Sequence, residues 1–228
     1  MSKKKTETPE TGLDTINDSL TSMTAKVQDN KKVITYISLA VVAVVAIILA
    51  YVYFFRGPSI TKANDAIGAA DLALAQGNDS IALKQYIDVA ENYSFEASNR
   101  AALQAAILLY QGGKYDEAIK YLDKYSAKED IIGPAASSLK GDCYVNTDKL
   151  DEAVKCFKEA ISQSDDNPAY TPFFMMKLAR VYAAQNKHSE EAKLYKEVLE
   201  KYPTYGQANN IDVEKLLDRA ELQAGEAK

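Results

Sequence analysis

Two pairs of adjacent carboxylates are the first residues in this sequence that could do chemistry. Asp116-Glu117 and Asp151-Glu152 occur in two similar phrases, KYDEAIKYLDKY and KLDEAVKCFKEA, which begin 35 residues apart. Two acids could act as a general acid and a general base if both faced one substrate. Adjacent residues at a helix start point in different directions, however, and acids there interact favourably with the helix dipole. We therefore interpret both pairs as helix-start residues.

Cysteine and histidine are too sparse to suggest a metal site or a nucleophile. Cys143 and Cys156 have no neighbouring Cys or His to complete a zinc site, and we interpret both as small core side chains. A bridge between neighbouring helices in an oxidising compartment is the alternative. His188, the one histidine, lies in the polar segment QNKHSEE and is interpreted as a solvated turn residue. Since no phosphate-binding, hydrolase or zinc-protease motif occurs, we expect no enzymatic activity and no cofactor.

The charge distribution argues against nucleic acid as a partner. The formal net charge is −5, and residues 57–228 carry 20 basic and 27 acidic side chains. Contacts with phosphate dominate the affinity for nucleic acids and require clustered Lys and Arg. We therefore expect no nucleic-acid partner.

The elements that hold these residues are repeated along the chain. Aligning Ala118 with Ala153 brings Ala82 and Ala192 into the same position, at intervals of 36, 35 and 39 residues. A period near 34 is typical of solenoids built from pairs of antiparallel helices. Alanine fits where two helices approach closely, and a larger side chain there would cost about 1–3 kcal/mol. The prediction is an all-α solenoid of about four helix pairs with a C-terminal capping helix at 209–223.

These repeats resemble the tetratricopeptide repeat family. The third repeat carries the clearest match, with Gly141 and Tyr144 in its first helix and Ala153, Phe157 and Ala160 in its second. The resemblance covers the region between residues 60 and 225 and implies a helical fold more than any one function. It also implies a concave face formed by the first helix of each pair.

That concave face implies a groove for a peptide or a partner helix. Its expected lining is apolar with interspersed Arg and Asp. The expected groove residues are Ile67, Asp71, Leu74, Arg100, Leu103, Ile107, Tyr110, Ser138, Asp142, Val145, Phe173, Met176 and Arg180. Packing between repeats is the alternative interpretation for each apolar residue in the run Phe173–Met176.

An apolar run precedes the repeats. Val33 to Phe55 is 23 residues without a charge, and as a helix it would span about 34 Å, more than the hydrocarbon core of about 30 Å. The end of the run and the residues after it, YVYFFRGPS, offer no signal-peptidase site, so we predict a single-pass signal anchor. Lysines at 26, 31 and 32 outnumber the basic residues after the run, which favours a cytoplasmic N-terminus.

The predicted order of parts is a cytoplasmic tail at 1–32, the anchor at 33–55, a linker at 56–60 and the repeat domain at 61–228. Within the tail, apolar residues recur every three or four positions from Leu13 to Val27. This spacing predicts a short amphipathic helix that docks on a partner or on the membrane surface, with a solvated tail as the alternative.

This order resembles the YfgM-type ancillary subunits of the bacterial Sec translocon. Both have an alanine-rich first helix after the anchor, ITKANDAIGAADLALAQGN here, although this chain has a longer tail and more regular repeats. The resemblance implies an inner-membrane protein with a periplasmic binding module beside the SecYEG channel. It also implies action with a PpiD-type prolyl-isomerase chaperone on translocating polypeptides. A structural scaffold for another envelope assembly (cell wall, division or secretion) is the alternative function.

Overall fold

The chain is all-α, as predicted. The computed structural model describes residues 31–126 and 131–226, and across these ranges the chain forms helices joined by turns, with no strand. The chain divides into two compact units, residues 1–58 and residues 59–228. The tail helix predicted between Leu13 and Val27 lies outside the described residues.

The first unit contains the apolar run. Helix α1 covers Lys31–Tyr51 and is followed by a π-helical segment, Val52–Arg56. All side chains of α1 are exposed. Within the part of the chain that the structure describes, one helical stretch, Lys31–Ala75, includes a window long and apolar enough to cross a membrane. By length and composition, this window fits a single membrane anchor.

Four helix pairs form most of the second unit. The first helices of the pairs are α2 (Gly57–Ala75), α4 (Phe95–Gln111), α6 (Ile132–Asn146) and α8 (Thr171–Ala184). Their second helices are α3 (Asp79–Asn92), α5 (Tyr115–Lys124), α7 (Leu150–Gln163) and α9 (His188–Lys201). A short helix α10 (Tyr205–Ala208) leads to α11 (Val213–Glu226), which packs against α9. The predicted solenoid with a terminal helix is confirmed.

The repeated alanine lies where helices approach closely. Ala82, Ala118, Ala153 and Ala192 are all buried, and each is the fourth or fifth residue of the second helix in its pair. A bulkier residue at these positions would have to displace a neighbouring helix. The interval between these alanines in the sequence therefore corresponds to one helix pair.

The two acid pairs have a second role besides their position at helix starts. They lie in the first turns of α5 and α7, as predicted. Lys149 Nζ also lies 3.0 Å from Asp116 Oδ1, and Gln185 Nε2 donates a hydrogen bond of 2.8 Å to Asp151 Oδ1. Each contact joins one repeat to the next. Because these side chains are exposed, each contact adds little stability, but together they favour one register between repeats.

Buried tyrosines make the repeat domain sensitive to high pH. Tyr86 is buried in α3, and its hydroxyl donates a 2.7 Å hydrogen bond to Asp71 Oδ1. Burial raises the pKa of Tyr86, and the hydrogen bond and negative charge of Asp71 raise it further. Burial also raises the pKa values of Tyr195 and Tyr205. These phenols stay protonated in the folded chain at pH values where the unfolded chain ionises.

We expect the free energy of unfolding to fall as the pH rises above about 10, the usual pKa of an unfolded tyrosine. The contribution of these groups is complete below that pH and is lost as the pH rises towards the raised pKa of the folded state, since only the unfolded chain releases protons there. Urea unfolding of the full chain in detergent, at about pH 8 and about pH 10.5, measures the effect. Tyr86→Phe should reduce this pH dependence, whereas Tyr170→Phe, at an exposed tyrosine, should leave it unchanged. If the free energy of unfolding fell equally with pH in the unsubstituted chain and in both variants, the role of Tyr86 would be contradicted.

Candidate protein-binding groove

The first helices of the second, third and fourth pairs form an apolar depression. This depression, called the apolar pocket below, has a volume of about 360 Å³. Five of the predicted groove residues line it, namely Leu103 and Ile107 from α4, Ser138 and Asp142 from α6, and Phe173 from α8. Helices α4, α6 and α8 thus bring together side chains that are up to 70 residues apart in sequence.

The rim of the apolar pocket exposes large apolar side chains. Phe173 is 44% exposed, and Ile131 and Ile132 are similarly accessible. Contiguous exposed apolar side chains in a soluble domain mark sites where another molecule binds. The apolar pocket therefore has the character of a protein-binding site.

A second, smaller depression adjoins the first. It has a volume of about 220 Å³ and is called the arginine pocket, because Arg180 lines it. Val145 from α6 and Ala184 from α8 also contribute to it. With this pocket, seven of the thirteen predicted groove residues line one of two neighbouring depressions.

Lys177 and Asp142 line both pockets, and Lys177 was not among the predicted residues. The two side chains form an ion pair that is about three-quarters buried, and Lys177 Nζ also donates to Ser138 Oγ at 3.3 Å. The Lys177 ammonium lies 4.8 Å from the centre of the Phe173 ring and 5.8 Å from that of Phe157. Burial raises the pKa of Asp142, and Lys177 opposes this shift. The feature of the sequence that could have identified Lys177 is its position as the single charged residue in the apolar stretch PFFMMKLA.

Two predicted groove residues are in the core instead. Ile67 packs within the core of the first two pairs, and Met176 packs with Tyr195 and Val198 of α9. Both are buried, so neither can contact a ligand in the groove. Met176 is only three residues from Phe173, yet it packs against the second helix of its own pair.

The other four predicted residues lie outside both pockets. Asp71 and Arg100 form an ion pair between α2 and α4, and Asp71 also accepts the Tyr86 hydrogen bond. Leu74 is half-buried against the core of the first two pairs, which also contains Ile67. Tyr110 is half-buried, and its ring centre lies 5.5 Å from that of Tyr115. These four therefore join neighbouring helices.

The cysteines are core residues, as predicted. Cys143 and Cys156 are both free and buried. Burial raises the pKa of Cys143 to about 12, and it raises the pKa of Cys156 as well. A protonated thiol is a poor nucleophile, so neither side chain is prepared for covalent chemistry.

The interpretation of His188 as a solvated turn residue is wrong. His188 is the first residue of α9, its side chain is only 13% exposed, and its Nδ1 lies 2.9 Å from Glu191 Oε2. Glu191 is itself fully buried, and its other oxygen lies 3.3 Å from an Arg219 nitrogen on α11. This cluster could not be predicted from the sequence, because Arg219 lies 28 residues beyond Glu191. Within the described ranges, no group of three or more His, Cys, Asp or Glu side chains is placed to hold a metal ion.

Comparison with known proteins agrees with this architecture. The model of the tetratricopeptide repeat-like domain matches residues 58–183, and a second tetratricopeptide repeat model matches residues 174–205. No curated protein matches the chain in sequence.

Solved structures with a similar fold include two of MamA. One has a TM-score of 0.53 at 18% identity, and the match covers 75% of this chain and 84% of the MamA chain. The other has a TM-score of 0.51 at 15% identity and covers 69% and 95%. A Podosopora anserina chain of nearly identical TPR-like repeats has a TM-score of 0.50 at 14% identity and covers 75% and 98%. At these identities the likeness concerns the fold alone, whereas the repeat-like domain model spans more than half of the sequence. The chain therefore belongs to the tetratricopeptide repeat-like domain family.

Proposed function

We propose that this protein is a membrane-anchored binding module that holds segments of other proteins in its groove. The observation that carries the proposal is the apolar pocket, where Phe173, Ile131 and Ile132 remain exposed around a depression of about 360 Å³. Domains built from tetratricopeptide repeats bind other proteins, and an extended segment or a helix fits a groove between helices. The absence of a catalytic motif in the sequence agrees with a binding role.

The proposed place of action is the periplasmic face of the bacterial inner membrane, beside the SecYEG translocon. Support comes from the apolar stretch ahead of the repeats, the lysines that precede it, and the resemblance to YfgM-type subunits. Anchoring would raise the effective concentration of the groove for chains that emerge from the channel, without a need for high intrinsic affinity. The acidic repeat domain would be repelled by anionic lipid headgroups. In this proposal the protein acts with a PpiD-type chaperone on translocating polypeptides.

Site-specific photo-crosslinking of the full chain in native membranes tests this proposal. A crosslinker at Phe173 should capture translocating polypeptides, translocon subunits or the prolyl-isomerase chaperone. The same crosslinker at Lys193, an exposed residue of α9 that lines neither of these two pockets, is the control. Equal labelling from the two positions would refute the proposed function. Protease protection in spheroplasts tests the orientation, since a protected repeat domain would place it in the cytoplasm.

We expect Phe173→Ala to weaken the binding of an unfolded model polypeptide by about tenfold, because an aromatic anchor at the pocket rim is lost. Fluorescence anisotropy with the full chain in nanodiscs measures this. Tyr170→Ala removes an aromatic side chain of similar exposure from the residue before α8, outside the apolar pocket, and should leave the affinity unchanged. A scaffold for another envelope assembly would not bind the unfolded polypeptide at all.

A further inference from the structure

We propose that the groove selects extended segments in which an Asp or Glu lies about three residues from a large apolar side chain. This inference rests on the proposed function, because it names the kind of segment that the same groove takes. The apolar pocket would hold the apolar side chain, and Arg180 in the arginine pocket would hold the carboxylate.

The apolar pocket offers a ligand very little to hydrogen-bond with. Its polar side chains are Ser138, Asp142 and Lys177, and these already bind one another. Ser138 is also buried, while the exposed rim consists of Phe173 and the two isoleucines. A polar ligand group placed here would lose its hydrogen bonds to water without replacement. The pocket therefore favours an aromatic or large aliphatic side chain.

Lys177 does not attract an acid from outside, because its charge is already neutralised. Its ammonium pairs with Asp142 and lies over the Phe173 ring, and both members of the pair are about three-quarters buried. Arg100, a predicted groove residue on α4, is paired with Asp71. Both cations are therefore already paired with a carboxylate of this chain.

Arg180 differs from these two cations. It is exposed in the arginine pocket, and no carboxylate or hydrogen-bond partner holds it among the residues that the structure describes. Val145 and Ala184 flank it with apolar surface. A guanidinium in this position binds a carboxylate through two parallel hydrogen bonds. The groove is therefore complementary in charge to a ligand segment that carries a single Asp or Glu.

The spacing of the segment follows from α8. Phe173, Lys177 and Arg180 lie at positions i, i+4 and i+7, so they share one face of the helix. At 1.5 Å per residue, the seven residues from Phe173 to Arg180 correspond to about 10 Å along the helix axis. An extended chain advances about 3.3 Å per residue, so about three residues separate the apolar side chain from the acid.

Short peptides bound to the full chain in nanodiscs test the spacing and the charge. The probe is a Gly/Ser peptide with one fluorophenylalanine and a glutamate three positions later. Its binding is measured by 19F NMR, which detects weak binding. A second peptide carries the glutamate and the fluorophenylalanine in the reverse order, and each of these two peptides has a counterpart with glutamine in place of glutamate. A further peptide has alanine in place of phenylalanine and carries its fluorine label at the N-terminus. At low salt, we expect one of the two glutamate peptides to bind about five- to tenfold more tightly than its glutamine counterpart.

Arg180→Gln should abolish the preference for glutamate, and Arg180→Lys should retain most of it. Lys193→Gln changes the net charge by the same amount on another face and should keep the preference, so an equal loss in both glutamine variants would overturn the inference. Unchanged thermal unfolding of Arg180→Gln shows that the fold is intact. Equal binding of the glutamate and glutamine peptides would overturn the inference but leave the proposed function standing, provided that the phenylalanine peptides bind better than the alanine peptide. Failure of every peptide and of the unfolded polypeptide would overturn both.

Discussion

Phe157→Ala should lower the free energy of unfolding by about 3–5 kcal/mol, the usual cost of emptying a large aromatic site in a core. Phe157 is 1% exposed and packs with Ala153, Leu178 and Val181 where α7 meets α8. In a solenoid each helix pair is stabilised mainly by its neighbours. Loss of this ring therefore weakens the contact between the third and fourth repeats as well as the third repeat itself.

The same ring explains why position 141 is a glycine. A Cβ added to Gly141 on α6 would lie 2.8 Å from Phe157 Cε1 and 2.9 Å from its Cζ. Alanine is the better helix former by about 1 kcal/mol, but overpacking costs about 1–3 kcal/mol, so Gly141→Ala should destabilise the protein. In the double variant, the new methyl group enters space that the ring has left. The combined loss should therefore be smaller than the sum of the two single losses by about 1–2 kcal/mol.

Urea unfolding of the full chain in detergent, followed by circular dichroism, measures these differences. Gly68→Ala is the matched control, because a Cβ at this exposed position of α2 meets nothing within 4 Å. It should stabilise the protein by up to about 1 kcal/mol. Additive losses in the double variant would show that the contact between Gly141 and Phe157 does not explain the glycine.

The helical pairs could be predicted from the sequence because their constraints are local and repeat. Ala118 and Ala153 occupy equivalent close contacts, and each such contact excludes larger residues in every repeat. The turns between helices likewise carry Gly, Asn or Asp with positive φ, as at Gly77, Gly113 and Asn186. Size and backbone conformation are properties of single residues, so they are visible in the sequence.

The groove could be predicted only in part, because both faces of a first helix are apolar. Phe173 and Met176 are equally plausible groove residues in the sequence, yet the first is exposed and the second packs on α9. Helical spacing identifies apolar faces, but it does not tell which neighbour covers each face. The pairs Lys177–Asp142 and Arg100–Asp71 were equally hidden, since their members are 35 and 29 residues apart.

Glu191→Ala should destabilise the protein by about 2–4 kcal/mol and loosen the terminal helix first. Glu191 is fully buried at the start of α9 and holds His188 of the same turn and Arg219 of α11. Removing one member of a buried charged group typically costs about 3–5 kcal/mol, because its partners are left without compensation. The cost should be somewhat smaller here, since the Arg219 side chain is about half exposed and regains water.

Glu190→Ala provides the control for this prediction. Glu190 lies in the same first turn of α9 but is exposed, so its removal takes the same charge from the helix dipole without opening a buried site. We expect it to cost less than about 1 kcal/mol in urea unfolding. Hydrogen exchange separates a local from a global effect: in Glu191→Ala, amides of Val213–Glu226 should lose protection before those of α4 and α5. Equal losses in the two variants, or unchanged protection in α11, would mean that the buried carboxylate does not hold the terminal helix. The end of the solenoid would then be closed by apolar contacts alone, such as those of Val213 and Ala220.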